Sequence, residues 1–323
     1  MKLILFLLAC ALLCCAAAAQ AQSAGKPVKV VLVKNSYSGS REGTELSPGP
    51  DALEQGGLAQ ALAQMGCDMA PARAARLTPE QDKQYGAWNR MGLANGHLSR
   101  IVAAAMQEGR FPIGLLANCN GLMGMLAGLQ HSGPTGRPLK VGLVWIDAHA
   151  DFNTPETTLS GMLGGMPVAV STGLCLTRLR LQSGLDPALP FSYVVMAGVR
   201  DTDPLEQELL DRHRIAMIPT GDLRGPSVAV QKEMNRLSEL TDLIYVHIDM
   251  DVLDPAEVRG HSLTVPDGPT SRELGAALEA IFRHPKAAAF GSASYPSGRD
   301  EDRTTLKAAY TLIEGVIRGV QRR

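Results

Sequence analysis

The sequence predicts an α/β fold with a central, mainly parallel sheet covered by helices on both faces. Three observations predict it. Continuous apolar runs at Phe111–Leu116, Val141–Ile146 and Leu243–Ile248 have strand length without polar alternation, the pattern of strands buried on both sides. Helical segments separate these runs, as parallel connections require. Two of the runs end in acidic clusters, and strand C-termini are where open α/β sheets bind ligands.

Taken in order, Lys29–Val33 is the first strand. Pro50, suited to a first helical turn, opens a helix to Met65 that Gly66 closes. A second helix runs from Trp88 to Glu108 with Gly109 as its stop, followed by the strand Phe111–Leu116 and a helix over Leu122–Leu129. The strand into Asp147 comes next, then a long loop and a strand at Tyr193–Ala197. A helix follows Pro204, a short strand ends at Ile218, and a further helix precedes the strand into Asp249. Ser271–Phe282 is helical, Ala287–Ser292 a strand, and Leu306–Arg318 the last helix. No internal repeat, low-complexity tract or linker follows residue 27, so residues 22–323 read as one domain.

Residues 1–21 read as a secretory signal rather than structure. Lys2 is a one-charge n-region, Leu3–Leu13 a short apolar core, and Ala19-Gln20-Ala21 a cleavage site that starts the mature chain at Gln22. Leu7-Leu8-Ala9-Cys10 only faintly resembles a lipoprotein box, because too little apolar sequence precedes it. An exported protein, periplasmic or secreted, is the expectation, with no membrane attachment after cleavage. Cleavage would leave Cys67, Cys119 and Cys175, an odd number with at least one free thiol. A formal net charge of −1 and an aromatic content of 4% argue against nucleic-acid binding.

The chemistry lies in the two acidic clusters. Asp147-Ala148-His149-Ala150-Asp151 follows one apolar strand, and Asp249-Met250-Asp251-Val252-Leu253-Asp254-Pro255 follows another. Residues two apart at a strand end project to the same side, so Asp147, His149 and Asp151 face one cavity with Asp249 and Asp251. Four crowded carboxylates repel unless cations neutralise them, and oxygen and imidazole donors suit hard divalent ions. A single Asp after a strand is ordinarily a cap or turn residue; two clusters ending two buried strands are not.

These motifs resemble those of the arginase (ureohydrolase) family, metal-dependent hydrolases of guanidino compounds, over most of the mature chain. Phe111-Pro112, opening the strand before the first ligand loop, belongs to the same resemblance. It implies a three-layer α/β/α sandwich and a pair of Mn²⁺ ions. By that resemblance Asp147 and Asp249 bridge the ions, Asp151 completes one, and His149 and Asp251 complete the other. A water between the ions would be ionised and attack the guanidinium carbon, with Asp151 taking its proton and passing it to the leaving amine. The family usually forms trimers or hexamers, which implies a homo-oligomer acting on a small guanidino substrate.

The resemblance is closest to arginase proper in the loop Asn153-Thr154-Pro155-Glu156-Thr157-Thr158-Leu159-Ser160-Gly161. It implies that Asn153 and Ser160 bind an α-carboxylate. The segment Arg200-Asp201-Thr202-Asp203-Pro204-Leu205-Glu206 implies Asp203 and Glu206 at the α-amine, and Ser271-Arg272-Glu273-Leu274 implies Glu273 at the guanidinium. Each has a plainer structural reading. Asn153 suits a turn, Asp203 an N-cap before Pro204, and Thr270 with Glu273 a capping box.

Two positions depart from the family. Leu116-Ala117-Asn118-Cys119-Asn120 stands where Gly-Gly-Asp-His-Ser is usual, which puts Cys119 in the place of a histidine ligand. A thiolate there favours Zn²⁺ or Fe²⁺ over Mn²⁺; the alternative is a plain buried thiol. Gly164 stands where arginases carry a histidine that assists proton transfer. His97, His131, His213, His261 and His284 stand apart from these motifs and read as surface or satisfied residues, and His247 as packing. The expected function is hydrolysis of L-arginine to L-ornithine and urea. The alternatives are agmatine or another guanidino acid, or a guanidino-binding homologue that has lost turnover. Deacetylases of related fold use adjacent histidine pairs, and none occurs here.

Overall fold

The structure, a computed structural model, describes residues 27–38 and 46–323; the expected signal segment lies outside them. Its strands are β1 (Lys29–Asn35), β2 (Asp68–Met69), β3 (Arg73–Ala75), β4 (Phe111–Leu116), β5 (Val141–Ile146), β6 (Val194–Ala197), β7 (Ala216–Ile218), β8 (Leu243–Asp249) and β9 (Ala287–Ala293). Among the described residues they form one sheet in the order β2-β1-β4-β9-β8-β5-β6-β7, with β3 also beside β1. Every pairing is parallel. From β5 the chain steps outward to β6 and β7, then returns to the other flank of β5 as β8. That reversal is the crevice in which doubly wound sheets bind ligands.

The helices are α1 (Gly49–Gln55), α2 (Leu58–Gln64), α3 (Pro79–Asp82), α4 (Ala87–Gln107), α5 (Leu122–Gln130), α6 (Pro167–Ser171), α7 (Thr177–Gln182), α8 (Pro204–His213), α9 (Val228–Leu240), α10 (Ser271–Phe282) and α11 (Thr304–Gln321). Alternate residues of β1 serve two separate cores. Val30 and Leu32 pack with Leu274, Ile281, Leu312 and Ile313 of α10 and α11. Val31 and Val33 pack with Leu98 and Val102 of α4 and Leu122 and Leu126 of α5. The result is the three-layer α/β/α sandwich, and it explains the unbroken apolar strands: both faces are buried.

Three details differ from expectation. The helix expected from Pro50 to Met65 is two helices, broken at Gly56-Gly57, where Gly57 adopts φ 106°, a left-handed conformation that glycine takes without steric penalty. The long loop after Asp147 contains the short helices α6 and α7. The short elements β2, β3 and α3 carry too few residues for a periodic signal.

Candidate metal centre and substrate cavity

Strand register puts the two acidic clusters side by side. Ile146 pairs with Ile248 across β5 and β8, so Asp147 and Asp249 emerge next to one another at the strand ends. A tight turn over Met250–Val252 follows, in which the Asp251 N–H donates to Asp249 Oδ1 at 3.0 Å. The matching bond on the other strand runs from the His149 N–H to Asp147 Oδ1 at 2.8 Å. These backbone donors fix both carboxylates. Cys119 enters from the turn after β4, its thiol donating to Asp249 Oδ2 at 2.8 Å. The Ser294 hydroxyl, just beyond β9, donates to the same oxygen at 2.6 Å.

His149 Nδ1 lies 3.3 Å from Asp251 Oδ2 and 3.5 Å from Asp147 Oδ1. Burial opposes its charge, but the two carboxylates outweigh burial and push its pKa up to about 12. Burial and mutual repulsion raise Asp147, Asp151 and Asp249 above the usual carboxylate range. Asp251 is lowered despite burial, because His149 bonds to it. Its Oδ1 is nevertheless buried with no partner among the described residues.

An unsatisfied buried carboxylate oxygen among crowded acids is what a cation would satisfy. Three groups of donors each hold their ligand atoms within 4.8 Å of one another: Cys119–Asp147–Asp249, Asp147–His149–Asp251 and Asp249–Asp251–His261. Each aspartate serves two groups, an arrangement suited to a pair of ions sharing carboxylates. The residues present therefore fit a binuclear divalent centre.

Asp151 lines the cavity beside this cluster, outside the three groups. It holds a left-handed φ of 49°, which a short polar side chain tolerates better than most. The cavity measures about 440 Å³ and extends from the cluster to Asn153, Ser160 and Asp203. Asn153 Nδ2 donates to Asp203 Oδ2 at 3.0 Å, and Asn153 Oδ1 accepts from Thr157 at 2.9 Å. Ser160 Oγ accepts from the Met162 N–H at 3.1 Å. Glu206 also borders the cavity, yet its two oxygens accept from the backbone N–H groups of Phe152 and Asp203, at 2.7 and 3.2 Å.

Glu273 is not brought to the cavity lining. Its carboxylate accepts from the Thr270 N–H at 2.8 Å and from Arg224 at 3.1 Å. The plainer reading, a capping box at the start of α10, describes its position. Gly164 also lines the cavity.

One histidine, His261, differs from expectation, and a second, His247, does more than the packing expected of it. His261 lines the cavity, with Nε2 3.8 Å from Asp249 Oδ1 and Nδ1 3.8 Å from Asp251 Oδ2. Its segment is anchored by Arg200, whose guanidinium donates to the carbonyls of Val252, Val265 and Pro266. No periodicity marks His261 in the sequence. His247 does carry a signal: it lies two residues before Asp249 on one strand and so on the same face. Its ring packs on Trp145, as expected, and also touches Cys119, with Nε2 3.3 Å from Sγ. The cysteines Cys67, Cys119 and Cys175 are all free thiols.

An all-parallel sheet with shared carboxylates, imidazoles and a thiol at its strand ends defines a candidate metallohydrolase. Residues 28–317 match the Arginase family model, and the chain belongs to that family of hydrolases. It is 29% identical to the arginase of Bacillus caldovelox over 264 residues, covering 79% of this chain and 86% of that one. It is likewise 29% identical to human mitochondrial arginase-2 over 311 residues, 88% of this chain and 83% of that one. The solved arginase structure from Bacillus caldovelox aligns with a TM-score of 0.77 at 27% identity, covering 91% of this chain and 99% of that chain.

Proposed function

We propose that the protein hydrolyses a guanidino α-amino acid, L-arginine foremost, to urea and the corresponding amine, L-ornithine, at a binuclear divalent-metal centre. The observation that carries this reading is the single cavity joining the Asp147–His149–Asp249–Asp251 cluster to the polar rim of Asn153, Ser160 and Asp203. A hydroxyl and an amide suit a carboxylate, and an acid suits an ammonium. The names of the relatives, arginases, support the same substrate.

Cys119, Asp147, His149, Asp151, Asp249 and Asp251 would hold the ions. Bound divalent ions supply an activated water and stabilise negative charge as it develops. The chain's own residues do the rest. Asn153 donates one amide proton to Asp203 and keeps a second for the substrate carboxylate. Ser160 accepts from Met162 and keeps its hydroxyl proton for the same group. Asp203 offers charge to the α-ammonium. Glu206 positions Phe152 and Asp203 through their N–H groups. Asp151, which lines the cavity beside the cluster, takes the proton of the attacking water and returns it to the leaving amine. Residues 1–21 direct export, residues 22–323 form the catalytic domain, and the enzyme works as a homo-oligomer, which light scattering of the purified protein would test.

The deciding experiment is urea release from L-arginine, agmatine and shorter guanidino acids after reconstitution with Mn²⁺, Zn²⁺ or Fe²⁺, with Asp151→Asn as control. Metal-dependent release from L-arginine, lost in Asp151→Asn, is the expected result. Release from agmatine alone would remove the amino-acid reading of the rim. No release from any compound by folded, metal-loaded protein would leave a binding homologue, with Gly164 as the missing proton carrier.

A further inference from the structure

Resting on the metal-hydrolase reading, we propose that Cys119 binds one ion as a thiolate whose sulfur accepts an N–H from His247, fixed in turn by Tyr245. The centre thereby selects a thiophilic divalent ion over Mn²⁺. Cys119 is 2% exposed and shares its donor group with Asp147 and Asp249. Behind it, away from the cavity, lies a polar chain on β8 that the substrate chemistry does not use.

The chain begins at Tyr245, whose hydroxyl lies 2.9 Å from His247 Nδ1. That hydroxyl has no other hydrogen-bond partner among the described residues. It occupies the space left by the absent side chain of Gly291, where a Cβ would overlap it. A buried phenol gives its proton to the acceptor it has, so Nδ1 accepts and Nε2 carries the ring proton. With Nδ1 taken up as an acceptor, the ring has one N–H left to donate, at Nε2. Nε2 lies 3.3 Å from Cys119 Sγ. The ring is held at that angle by stacking on Trp145, with centroids 4.5 Å apart and planes 7° apart.

Sulfur therefore has an N–H donor behind it and carboxylates in front. When an ion binds, the S–H bond breaks, a sulfur electron pair passes to the ion, and the proton leaves to solvent through the cavity. A second sulfur lone pair accepts from Nε2–H. Such outer hydrogen bonds orient and tune metal ligands. The thiolate is a soft donor, favouring Zn²⁺, Fe²⁺ or Co²⁺ over the hard-ligand ion Mn²⁺. His247 and Tyr245 are positioning residues in this account, acting on the ion only through Cys119.

The test is a Co²⁺ titration of the metal-free protein, read by its thiolate-to-cobalt absorption band, with X-ray absorption on the Zn²⁺ form. Wild type should show the band and a sulfur at about 2.3 Å from zinc. Cys119→Ser should lose both, and Cys119→His should lose the band and shift preference toward Mn²⁺ in competition with Zn²⁺. His247→Phe keeps the stacked ring without its N–H; Tyr245→Phe keeps the buried ring and frees the tautomer. Each should shift the band and weaken Zn²⁺ roughly 10- to 100-fold, while circular dichroism stays that of wild type. A wild-type protein that binds two ions without sulfur in the shell would overturn the inference and leave the metal centre standing. Bands unchanged in both ring variants would overturn the role of His247, and failure to bind any divalent ion would overturn inference and centre together.

Discussion

The floor of the cavity and its rim are built on different principles. The floor comes from the ends of β4, β5 and β8: β5 and β8 pair directly and deliver Asp147 and Asp249, while Cys119 follows β4, which lies beyond β9 in the same sheet. The rim comes from the loops after β5, β6 and β8, which carry Asn153 and Ser160, Asp203, and His261. Rigid elements hold ligands within the narrow tolerance that metal chemistry demands, while loops are free to change what they recognise. On the floor, Cys119 meets His247 of β8, with Nε2 3.3 Å from its sulfur.

The comparison breaks most sharply at Asp249, which serves two of the three donor groups. Asp249→Asn should lower divalent-ion affinity by more than about 100-fold, beyond the range of losses at outer partners, read by isothermal calorimetry. It should also raise the melting temperature of the metal-free protein, because one of the crowded buried carboxylates loses its charge. A variant that binds ions normally would show that the floor is not the metal site.

On the rim, Gly164→His tests whether a missing proton carrier limits turnover. A Cβ there meets Asn118 Nδ2 at 3.4 Å, ordinary contact, and Gly164 lines the cavity into which a longer side chain could extend. Because proton-transfer groups contribute about 10²–10⁴-fold, a gain in kcat on the order of tenfold or more is expected. An unchanged kcat would mean that Asp151 already suffices. His261→Ala, at the border of the two regions, should weaken one of the two ions roughly tenfold, measured by metal competition. Equal affinity would make His261 part of the rim alone.

Much of the floor was legible because strands announce themselves by apolar runs and the period of two places Asp147 with His149 and Asp249 with Asp251. The same rule could have brought in His247. The rim was less legible. The position of His261 depends on Arg200 clasping the Val252, Val265 and Pro266 carbonyls, a tertiary contact between segments far apart in sequence. Ser294 reaches Asp249 only because β9 lies beside β8. The break at Gly56-Gly57 was hidden because two apolar helical stripes run in series across it.

The floor also differs from the rim in its response to pH. Asp147, Asp151 and Asp249 have raised pKa values when folded. Their contribution to stability is complete below the unfolded carboxylate value, about pH 4, and is lost as pH rises through the folded values. His149, raised to about 12, acts in the same direction above its unfolded value. Asp251, which is lowered, contributes fully above about pH 4 and adds no slope. Metal-free protein should therefore melt lower at pH 8 than at pH 5, by roughly 2–4 °C for each kcal/mol lost. Saturating divalent ion should remove that slope. A metal-free protein more stable at pH 8 in calorimetry would contradict the crowded, cation-seeking floor.

The smallest expected effect separates resemblance from position. The family motif implies that Glu273 meets the guanidinium, yet its carboxylate is occupied by the Thr270 N–H and hydroxyl and by Arg224. A group bonded to its own helix start cannot also reach a cavity it does not line without breaking the cap. Glu273→Gln keeps an acceptor for the Thr270 N–H and loses only the half-exposed ion pair with Arg224, worth at most about 1 kcal/mol. The KM for L-arginine should then stay within about twofold, since a lost guanidinium contact would cost roughly 1.5–3 kcal/mol, more than tenfold. A rise of that larger size would show that α10 gives up its cap when substrate binds. The rim would then be set by the ligand as much as by the apo fold.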